Sequence, residues 1–285
     1  MPIKIYDISK GYGEPIPHKA FVFSGGEVQV SLTRSSELIH DESEDQRAFC
    51  INAHITNANE IMELALITDA LRREYLPSSL SLIMPYVPYA RQDRVMNPGE
   101  SLGVKVFIDI INTLKFDTVC IADAHSDVTP ALINNLILNI PPEELLSSFV
   151  AQDSTDVLVA PDAGAIKKVL KVAKHLKLDM VRADKIRNTS TGEITGTVVY
   201  SDPIGVRDFL IVDDICDGGR TFIELAKQLR PLTTGKIKLY VTHGIFSKGL
   251  DVFNGLIDEI YCPYPFDSDL THPLLKVSND AGLAI

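Results

Sequence analysis

Five short apolar runs, each followed at once by polar residues, limit the fold of this chain more than any other feature. The runs are SLSLIMP, DTVCIAD, TDVLVAP, RDFLIVD and KIKLYVT. Largely continuous apolar runs are typical of parallel strands covered by helices on both faces. The segments that follow them are YVPYARQDR, AHSD, DAGA, DICDGGRT and HGIFSKG. Because ligands of α/β proteins bind beyond the carboxyl ends of the strands, we expect these five segments to line the functional site.

Helical periodicity separates the runs. Residues 58–75 place apolar or small side chains at i, i+3, i+4, i+7 and i+10 from Ile61, which predicts one helix with a single apolar stripe. A Pro-Pro pair lies within residues 139–154, with strand and helix patterns on both sides of it. We therefore predict an α/β fold of two similar domains, with parallel sheets flanked by helices. Their boundaries are 1–138 and 139–267, and residues 268–285 are expected to pack on the first domain.

Composition narrows the function. The 285 residues are 45% hydrophobic, enough for a sizeable core, and carry a formal net charge of −11. A general binder of nucleic acid or anionic membrane needs a basic face, so we expect neither partner. Four widely separated cysteines and no long apolar run indicate a soluble, cytoplasmic protein.

The stretch FLIVDDICDGGRTFIEL, residues 209–225, joins a buried strand to a helix through acids and glycines. A loop that opens a helix can bind phosphate through its amide N–H groups and the positive end of the helix dipole. Asp213 and Asp214 suit sugar hydroxyls or hydrated magnesium instead. A sugar phosphate satisfies both requirements. On spacing alone, an ordinary helix cap and turn explains the stretch equally well.

This stretch resembles the phosphoribosyl-pyrophosphate loop of type I phosphoribosyltransferases and of ribose-phosphate pyrophosphokinases. Asp217, Gly219 and Thr221 fit that loop, whereas Gly218 replaces a threonine and Arg220 a glycine. Four more segments resemble the pyrophosphokinases in order along the chain: FSGGEVQVSL, TNANEIMELALITDALRR, MPYVPYARQDR and HGIFSKG. The resemblance extends from about residue 20 to the end, and it implies domains like those of type I phosphoribosyltransferases.

The resemblance implies a reaction. Members of this family transfer the β,γ-diphosphoryl group of ATP to the C1 hydroxyl of ribose 5-phosphate with Mg²⁺, giving 5-phosphoribosyl 1-diphosphate and AMP. The implied ATP-binding residues are Phe23, Glu27, Arg91, Gln92 and, more weakly, Arg94. Those for ribose 5-phosphate are Asp213, Asp214, Asp217, Gly218, Gly219, Arg220 and Thr221.

The metal site and the catalytic loop are also implied by resemblance. His125 and Asp162 match the metal-site residues of the family, and Asp123, expected on the same side of its strand, would support His125. Because magnesium prefers oxygen ligands, His125 could instead act through water or phosphate. Residues 182–195 are polar and aperiodic, which predicts an exposed flexible loop. Lys185 and Arg187 match the mobile catalytic pair of the family.

The chain departs from the family pattern in several places. Gly25 replaces the aspartate of the Phe-Ser-Asp-Gly-Glu hairpin that reaches a neighbouring subunit, which leaves the choice of nucleotide open. Ala165 stands where many relatives have glycine. The residues before Phe23 are too few for the usual first strand and helix, and the basic run after YARQDR is missing, so we expect regulation by ADP and phosphate to be lost. The family implies a homo-oligomer, from dimer to hexamer.

Three other functions compete with this interpretation. A phosphoribosyltransferase that consumes the activated sugar would leave YARQDR unexplained. A non-catalytic regulatory homologue is favoured by the changes at Gly25, Ala165 and Arg220, but not by the retained Lys185 and Arg187. A receiver-like or general nucleotide-binding domain is the most remote.

Overall fold

The computed structural model describes residues 3–9, 11, 13–33, 47–152, 154–187 and 194–278. The chain divides into two compact units, Met1–Asn139 and Ile140–Ile285, one residue from the boundary expected from the sequence. Each unit has its own hydrophobic core.

The first unit is built on a five-stranded sheet of order β1-β4-β5-β6-β7. β4 pairs in parallel with β5, and β5 with β6, whereas β1 is antiparallel to β4. A separate antiparallel hairpin is formed by β2 and β3. The strands are β1 (Ile3–Asp7), β2 (His18–Val22), β3 (Val28–Leu32), β4 (Ala48–Ala53), β5 (Ser79–Ile83), β6 (Thr118–Ala122) and β7 (Leu136–Ile140), and the helices are α1 (Ala58–Tyr75), α2 (Gly103–Thr113) and α3 (Val128–Leu132).

Helix α1 confirms the prediction from periodicity. It begins at a capping box, in which the Asn57 side chain accepts from the backbone N–H of Glu60 while the Glu60 carboxylate accepts from that of Asn57. Leu64 and Leu71 are buried on its inner face, and Ile61 is half-buried. The helix also contacts β3 of the hairpin.

The second unit is built on a larger sheet of order β10-β9-β8-β11-β12-β13-β15, with β14 pairing to β12. Strands β8, β11 and β12 are parallel neighbours. The strands are β8 (Val157–Ala160), β9 (Asp179–Arg187), β10 (Ile194–Tyr200), β11 (Phe209–Cys216), β12 (Ile237–Gly244), β13 (Glu259–Tyr261), β14 (Tyr264–Pro265) and β15 (Leu275–Lys276), and the helices are α4 (Pro142–Leu146), α5 (Ile166–Leu176) and α6 (Arg220–Leu229).

All five apolar runs form strands, as the sequence predicted: β5, β6, β8, β11 and β12. In β8 every residue is buried, so side chains are covered on both faces of the sheet. The α/β class is therefore confirmed. No helix within the described residues is both long and apolar enough to cross a membrane.

Three expectations about the chain were wrong. Residues 182–187 and 194–195 are not a loop but parts of β9 and β10, which pair as an antiparallel hairpin; residues 188–193 lie outside the described residues. A strand does precede Phe23, because the alternating residues Ile3 and Ile5 are buried when β1 pairs with β4. Within the described part of that segment, no helix accompanies it.

The third correction concerns the C-terminal segment 268–285, which was expected to pack on the first domain. Its described part belongs to the second unit, because β15 extends that sheet beside β13. Leu270, Leu274 and Leu275 pack against the second core, so burial of these leucines decides where the segment lies. Residues 279–285 lie outside the described residues.

Candidate active site

The loops that follow β8, β11 and β12 meet at the carboxyl ends of these parallel strands. Parallel pairing sets Ile211 beside Val159 and Cys216 beside Gly244, so the three strands end close together. The backbone N–H groups of Ile245 and Phe246 donate to the carbonyl of Cys216 over 2.8 and 3.1 Å. This hydrogen bonding joins the loop after β12 to the loop after β11.

At these carboxyl ends, two further acids influence the ionisation of Asp213. The pKa of Asp213 is raised well above its usual value, first by burial, then by the neighbouring carboxylate of Asp214, and more weakly by Asp162. Lys168 of α5 approaches this group, with its Nζ 3.6 Å from Oδ2 of Asp214. The structure thus brings together Asp162, Asp213 and Asp214, which the sequence placed in two separate motifs.

The segment 217–221, here called the phosphate loop, turns from β11 into α6. Gly219 adopts a φ of +77°, in the left-handed region, and an added Cβ there would overlap the ring of Phe253. Among the described residues, the backbone N–H groups of Gly218, Arg220 and Thr221 have no hydrogen-bond acceptor. Three such N–H groups at a helix N-terminus suit an anion.

The loop after β12 covers one side of the phosphate loop. The Ser247 hydroxyl donates to Oδ1 of Asp217 over 2.6 Å, and the Ser247 N–H donates to the Asp217 carbonyl over 3.2 Å. Asp217 is exposed apart from this contact, and Arg220 is exposed as well. Both predicted residues therefore lie at the open side of the loop.

Asp162 forms hydrogen bonds within the loop that follows β8. The N–H of Ala165 donates to Oδ1 and to the carbonyl of Asp162, each over 3.2 Å. A Cβ on Gly164 would lie 3.3 Å from the same oxygen. Ala165 itself has a φ of −78°, so this position does not require glycine.

The predicted catalytic pair lies on β9 and not in a loop. In the β9–β10 hairpin, Lys185 is paired with Thr197 and Arg187 with Ile194. The backbone of both residues is therefore part of the second sheet, in the strand next to the edge strand β10.

In the first unit, the predicted nucleotide-binding residues follow β5. The backbone N–H of Gln92 donates to the Tyr89 carbonyl over 2.8 Å, and the Gln92 carbonyl accepts from Val104 at the start of α2. A Cβ on Gly103 would overlap the Gln92 side chain, so that side chain lies against the start of α2. Arg91 is exposed.

Asp93, which sequence reasoning passed over, connects this segment to His125. Its side chain is only 6% exposed and lies 3.1 Å from Nε of Arg94. Burial raises the pKa of Asp93, but hydrogen bonds with Arg94 and Ser126 and the electrostatic influence of Arg94 and His125 outweigh burial, and the net pKa is below the usual value. No periodicity or motif signalled the interaction of Asp93 with Ser126 and His125, because those residues are far from Asp93 in sequence.

The expectation that Asp123 and His125 share one face of a strand was wrong. Strand β6 ends at Ala122, and Asp123 has a φ of +42°, which breaks the alternation of side chains. Asp123 is buried and His125 is exposed. Among the described residues, no three His, Cys, Asp or Glu side chains are close enough to share a metal ion.

The β2–β3 hairpin carries Phe23 and Glu27 in its turn. The Phe23 N–H donates to the Glu27 carbonyl over 2.8 Å, and the Phe23 ring is 4.9 Å from that of Phe21. Phe23 is 50% exposed. An added Cβ on Gly25 would meet no atom within 4 Å, so the fold leaves space for a side chain there.

Comparison with known proteins identifies the family to which this chain belongs. A family model for the N-terminal domain of ribose phosphate pyrophosphokinase matches residues 8–114, and one for the phosphoribosyl transferase domain matches residues 142–252. The ribose-phosphate pyrophosphokinase of Mycoplasmopsis pulmonis is 30% identical over 253 residues, which cover 87% of this chain and 76% of that protein. The chain belongs to the ribose-phosphate pyrophosphokinase family.

Other relatives agree with this assignment. The ribose-phosphate pyrophosphokinase of Thermococcus kodakarensis is 32% identical over 207 residues, or 70% of this chain and 71% of that protein. The crystal structure of phosphoribosylpyrophosphate synthetase from Mycobacterium smegmatis has the same fold, with a TM-score of 0.75, 23% identity and coverage of 93% of this chain and 87% of the other.

Membership of the ribose-phosphate pyrophosphokinase family confirms the recognition made from the motifs and makes the chain an enzyme of the phosphoribosyl pyrophosphate synthase type. A phosphoribosyltransferase alone would leave the match over residues 8–114 unexplained. Two features of the site were missed: the approach of Lys168 to Asp214, and the contact of the Ser247 loop with Asp217. The second had a signal, since HGIFSKG follows one of the five predicted strands.

Proposed function

We propose that this chain transfers the β,γ-diphosphoryl group of Mg-ATP to the C1 hydroxyl of ribose 5-phosphate, giving 5-phosphoribosyl 1-diphosphate and AMP. The observation that carries the proposal is the order of groups after β11. Two neighbouring carboxylates, Asp213 and Asp214, are followed by three N–H groups that lack an acceptor within the described residues. A ribose phosphate offers hydroxyls to the first and a phosphoryl group to the second.

The phosphate loop would hold the 5-phosphate. The N–H groups of Gly218, Arg220 and Thr221 would donate to its oxygens, with Gly219 giving the turn its left-handed residue. Asp217 would stay at the rim, since Ser247 already engages its carboxylate. Arg220 adds a positive charge at the first position of α6, where it can neutralise the dianion.

Asp213 and Asp214 would accept hydrogen bonds from the ribose hydroxyls. These hydrogen bonds would hold the C1 hydroxyl in a fixed orientation beside the ATP phosphates. Such positioning of the reactants accounts for much of the rate acceleration in phosphoryl transfer. Burial and Asp214 raise the pKa of Asp213, and positive charge or hydrogen bonds donated by a bound ligand would favour its ionised form.

The residues present fit a magnesium ion that is held mainly by substrate. Magnesium commonly takes one or two carboxylates and keeps water and phosphate oxygens as its other ligands, so a cage of three protein ligands is not required. By the family resemblance, Asp162 is the candidate ligand within the second unit; His125 and Asp123 are, separately, the candidates within the first. When bound, the ion would neutralise charge on the phosphate oxygens.

We assign the nucleotide to the first unit. Arg91 and Arg94 are exposed cations in the segment after β5, which suits the phosphates, and Gln92 would contact the sugar or base. Phe23 and Glu27 would serve adenine, with Phe23 providing a stacking surface. Because Gly25 supplies no carboxylate, discrimination among nucleotides rests on fewer polar contacts.

Lys185 and Arg187 would supply positive charge to the transferring diphosphoryl group. Each preorganised donor to a transition state typically contributes about 3 kcal/mol or more. Their assignment rests on the family resemblance, and their position at the end of β9 leaves residues 188–193 to connect them to β10.

We further propose that the enzyme is a homo-oligomer in which the β2–β3 hairpin reaches a neighbouring copy. Phe21, Val22 and Phe23 are about half exposed at its end, with 48%, 52% and 50% of their surface accessible. Exposed apolar residues at the end of a hairpin are typical of a contact surface. Light scattering after size exclusion, with and without Phe23→Ser, measures this assembly.

Phosphorus NMR of the purified protein with ribose 5-phosphate, magnesium and ATP tests the reaction. We expect AMP and a C1 diphosphate to appear together, and only when magnesium and the sugar are both present. Lys185→Ala should slow their formation at least about a hundredfold, the loss expected for one transition-state donor. ADP as the nucleotide product would contradict diphosphoryl transfer, and substrate binding without any product would favour the regulatory homologue.

A further inference from the structure

Lys248, which none of the motifs assigns, lies directly against the phosphate loop. It follows Ser247 in the loop after β12, and that loop is joined to the phosphate loop by hydrogen bonds to Cys216 and Asp217. A Cβ built on Gly218 would be 3.4 Å from Cγ of Lys248 and 3.7 Å from Oγ of Ser247. The stem of Lys248 therefore runs past the backbone of Gly218.

Within the described residues, Lys248 forms no ion pair. Its side chain is exposed, and no carboxylate of that part of the chain lies within ion-pair distance of it. The carboxylate of Asp217, in the adjoining phosphate loop, accepts a hydrogen bond from Ser247. Arg220, also in the phosphate loop, has no ion-pair partner in the described ranges either.

Two unpaired cations beside the same loop are unexpected in a chain with a net charge of −11. Arg220 belongs to the phosphate loop, and Lys248 contacts that loop at Gly218. Two cations close to three backbone N–H groups without an acceptor in the described residues suit a phosphate monoester, which carries up to two negative charges and accepts several hydrogen bonds.

Gly218 lies at contact distance from the Lys248 stem. Its φ is not in the left-handed region, so the backbone does not require glycine there. An added Cβ would make an ordinary van der Waals contact with Cγ of Lys248, so only a side chain larger than that of alanine would press on the lysine stem.

We propose that Lys248, whose stem contacts the phosphate loop at Gly218, binds the phosphoryl group of the sugar phosphate held by that loop. This inference deepens the proposed function and rests on it. It adds a binding residue from β12 to a site formed otherwise by β11 and α6. An ammonium group on a flexible stem acts as a point charge, so Lys248 determines affinity for the dianion more than its orientation.

Calorimetric titration with ribose 5-phosphate, without nucleotide, tests the role of Lys248. Lys248→Met should weaken binding about tenfold, the usual size of one charge-assisted hydrogen bond at a solvent-accessible site. Lys248→Arg should retain most of the affinity, because it keeps the charge. The matched control is Lys227→Met, which removes the same charge from α6 where Lys227 pairs with Glu224 over 2.9 Å; it should leave the dissociation constant within about twofold of wild type.

A double-mutant cycle tests the pairing with Gly218. Gly218→Thr should weaken binding of ribose 5-phosphate clearly in the wild type and much less in the Lys248→Met background, because in the first case the new side chain displaces the lysine stem. Circular dichroism checks that each variant is folded. Additive effects would contradict the pairing and leave the charge as the only role of Lys248.

The outcomes separate this inference from the function on which it rests. Binding of ribose 5-phosphate to the wild type, with equal affinity in Lys248→Met, overturns the role of Lys248 while the sugar-phosphate site stands. No binding to the wild type at all overturns both. A tenfold loss for ribose 5-phosphate together with a similar loss for inorganic phosphate as a competitor supports the inference, because inorganic phosphate shares only the phosphoryl contact.

Discussion

The two ends of the second sheet use aspartates in opposite ways. At the amino ends of its strands, Nζ of Lys238 lies 2.9 Å from Asp156 and 2.8 Å from Asp208. At the carboxyl ends, Asp213 and Asp214 lie against each other. The first arrangement places one half-buried cation between two acids, whereas the second places two acids side by side with a cation, Lys168, 3.6 Å from Asp214.

The pKa values report this difference. For Asp208, burial raises the pKa, but hydrogen bonds from Lys238 and the Lys236 backbone more than offset it, and the net pKa is lowered. For Asp213, burial and Asp214 act in the same direction and the pKa is raised. At the amino end the acids are ionised beside a close cation. At the carboxyl end Lys168 approaches Asp214, yet the net pKa of Asp213 is still raised, so a ligand that brings hydrogen-bond donors or positive charge would favour the ionised form of Asp213.

The largest expected effect is on activity at the carboxyl end. Asp213→Asn should lower kcat/KM for ribose 5-phosphate about a hundredfold, because an amide loses the charge-assisted hydrogen bonds to the sugar hydroxyls. Its resistance to urea should not fall, since the amide of asparagine can donate to Asp214 as the protonated carboxyl of Asp213 does. Steady-state kinetics and urea unfolding measure the two effects.

Asp208→Asn is the matched control at the amino end. The same change of carboxylate to amide should leave kcat/KM near the wild-type value and lower the free energy of unfolding by about 1 kcal/mol, since Lys238 keeps only Asp156 as a partner. If Asp208→Asn lost as much activity as Asp213→Asn, the division of the sheet into a stabilising end and a functional end would be wrong.

The next effect is on stability. Lys238→Met leaves Asp156 and Asp208 close together without their cation, and these side chains are 7% and 25% exposed. Breaking a buried ion pair by removing one partner is costly, and partial exposure reduces that cost to about 2 kcal/mol here. Urea unfolding measures the change. The exposed Lys227→Met variant is the control, and a similar loss in both would show that Lys238 has no special role.

The sequence predicted strands β8, β11 and β12 of this sheet, but it did not predict which of the acids at their ends lie next to a cation. Continuous apolar runs such as FLIVDD mark buried strands because a strand covered on both faces has no polar side. The β9–β10 hairpin was missed because ADKIRNTSTGEIT is polar, and polar residues are tolerated where a sheet has an edge. The two-residue strand β15 depends on contacts with β13 that no local pattern encodes.

In the candidate site, too, the sequence revealed only the residues that lie together in one motif. Asp213, Asp214 and the glycines were found because they are contiguous in one motif. Lys248 and Asp93 were not, because their partners, Gly218 and His125, are distant in sequence and only the folded chain brings them together. The sequence predicted that HGIFSKG and DICDGGRT line one site, but only the parallel pairing of β11 and β12 shows which of their residues meet.

Gly219 and Gly235 allow the same comparison of the carboxyl and amino ends of the sheet to be made with backbone positions. An added Cβ on Gly219 would overlap Phe253 at a φ of +77°, and one on Gly235, at the amino end, would lie 2.6 Å from the carbonyl oxygen of Arg207. Each alanine substitution should lower the free energy of unfolding by about 1.5 kcal/mol. Only Gly219→Ala should also raise KM for ribose 5-phosphate. Equal KM values in the two folded variants would contradict a role of Gly219 in the phosphate loop.

The smallest effect is a difference in pH dependence, and its sign differs between the two ends. The pKa of Asp213 is raised by folding, so the folded state keeps a proton that the unfolded state releases. The stability that this proton represents is present below the unfolded pKa and is lost as pH rises through the folded one. The lowered pKa of Asp208 gives the reverse: its contribution is present above the unfolded pKa and is lost as pH falls through the folded one.

Urea unfolding at a series of pH values, in EDTA and without substrate, measures both contributions. The stability of the wild type relative to Asp213→Asn should fall as pH rises from about 4, with a slope of at most about 1.4 kcal/mol per pH unit for one proton. Relative to Asp208→Asn it should fall as pH is lowered below about 4. Because Asp213 and Asp214 titrate as a pair, the first slope reports their shared proton. Slopes of the same sign at both ends would mean that the acids at the carboxyl end already have their compensating charge within the protein, and that a ligand is not what completes them.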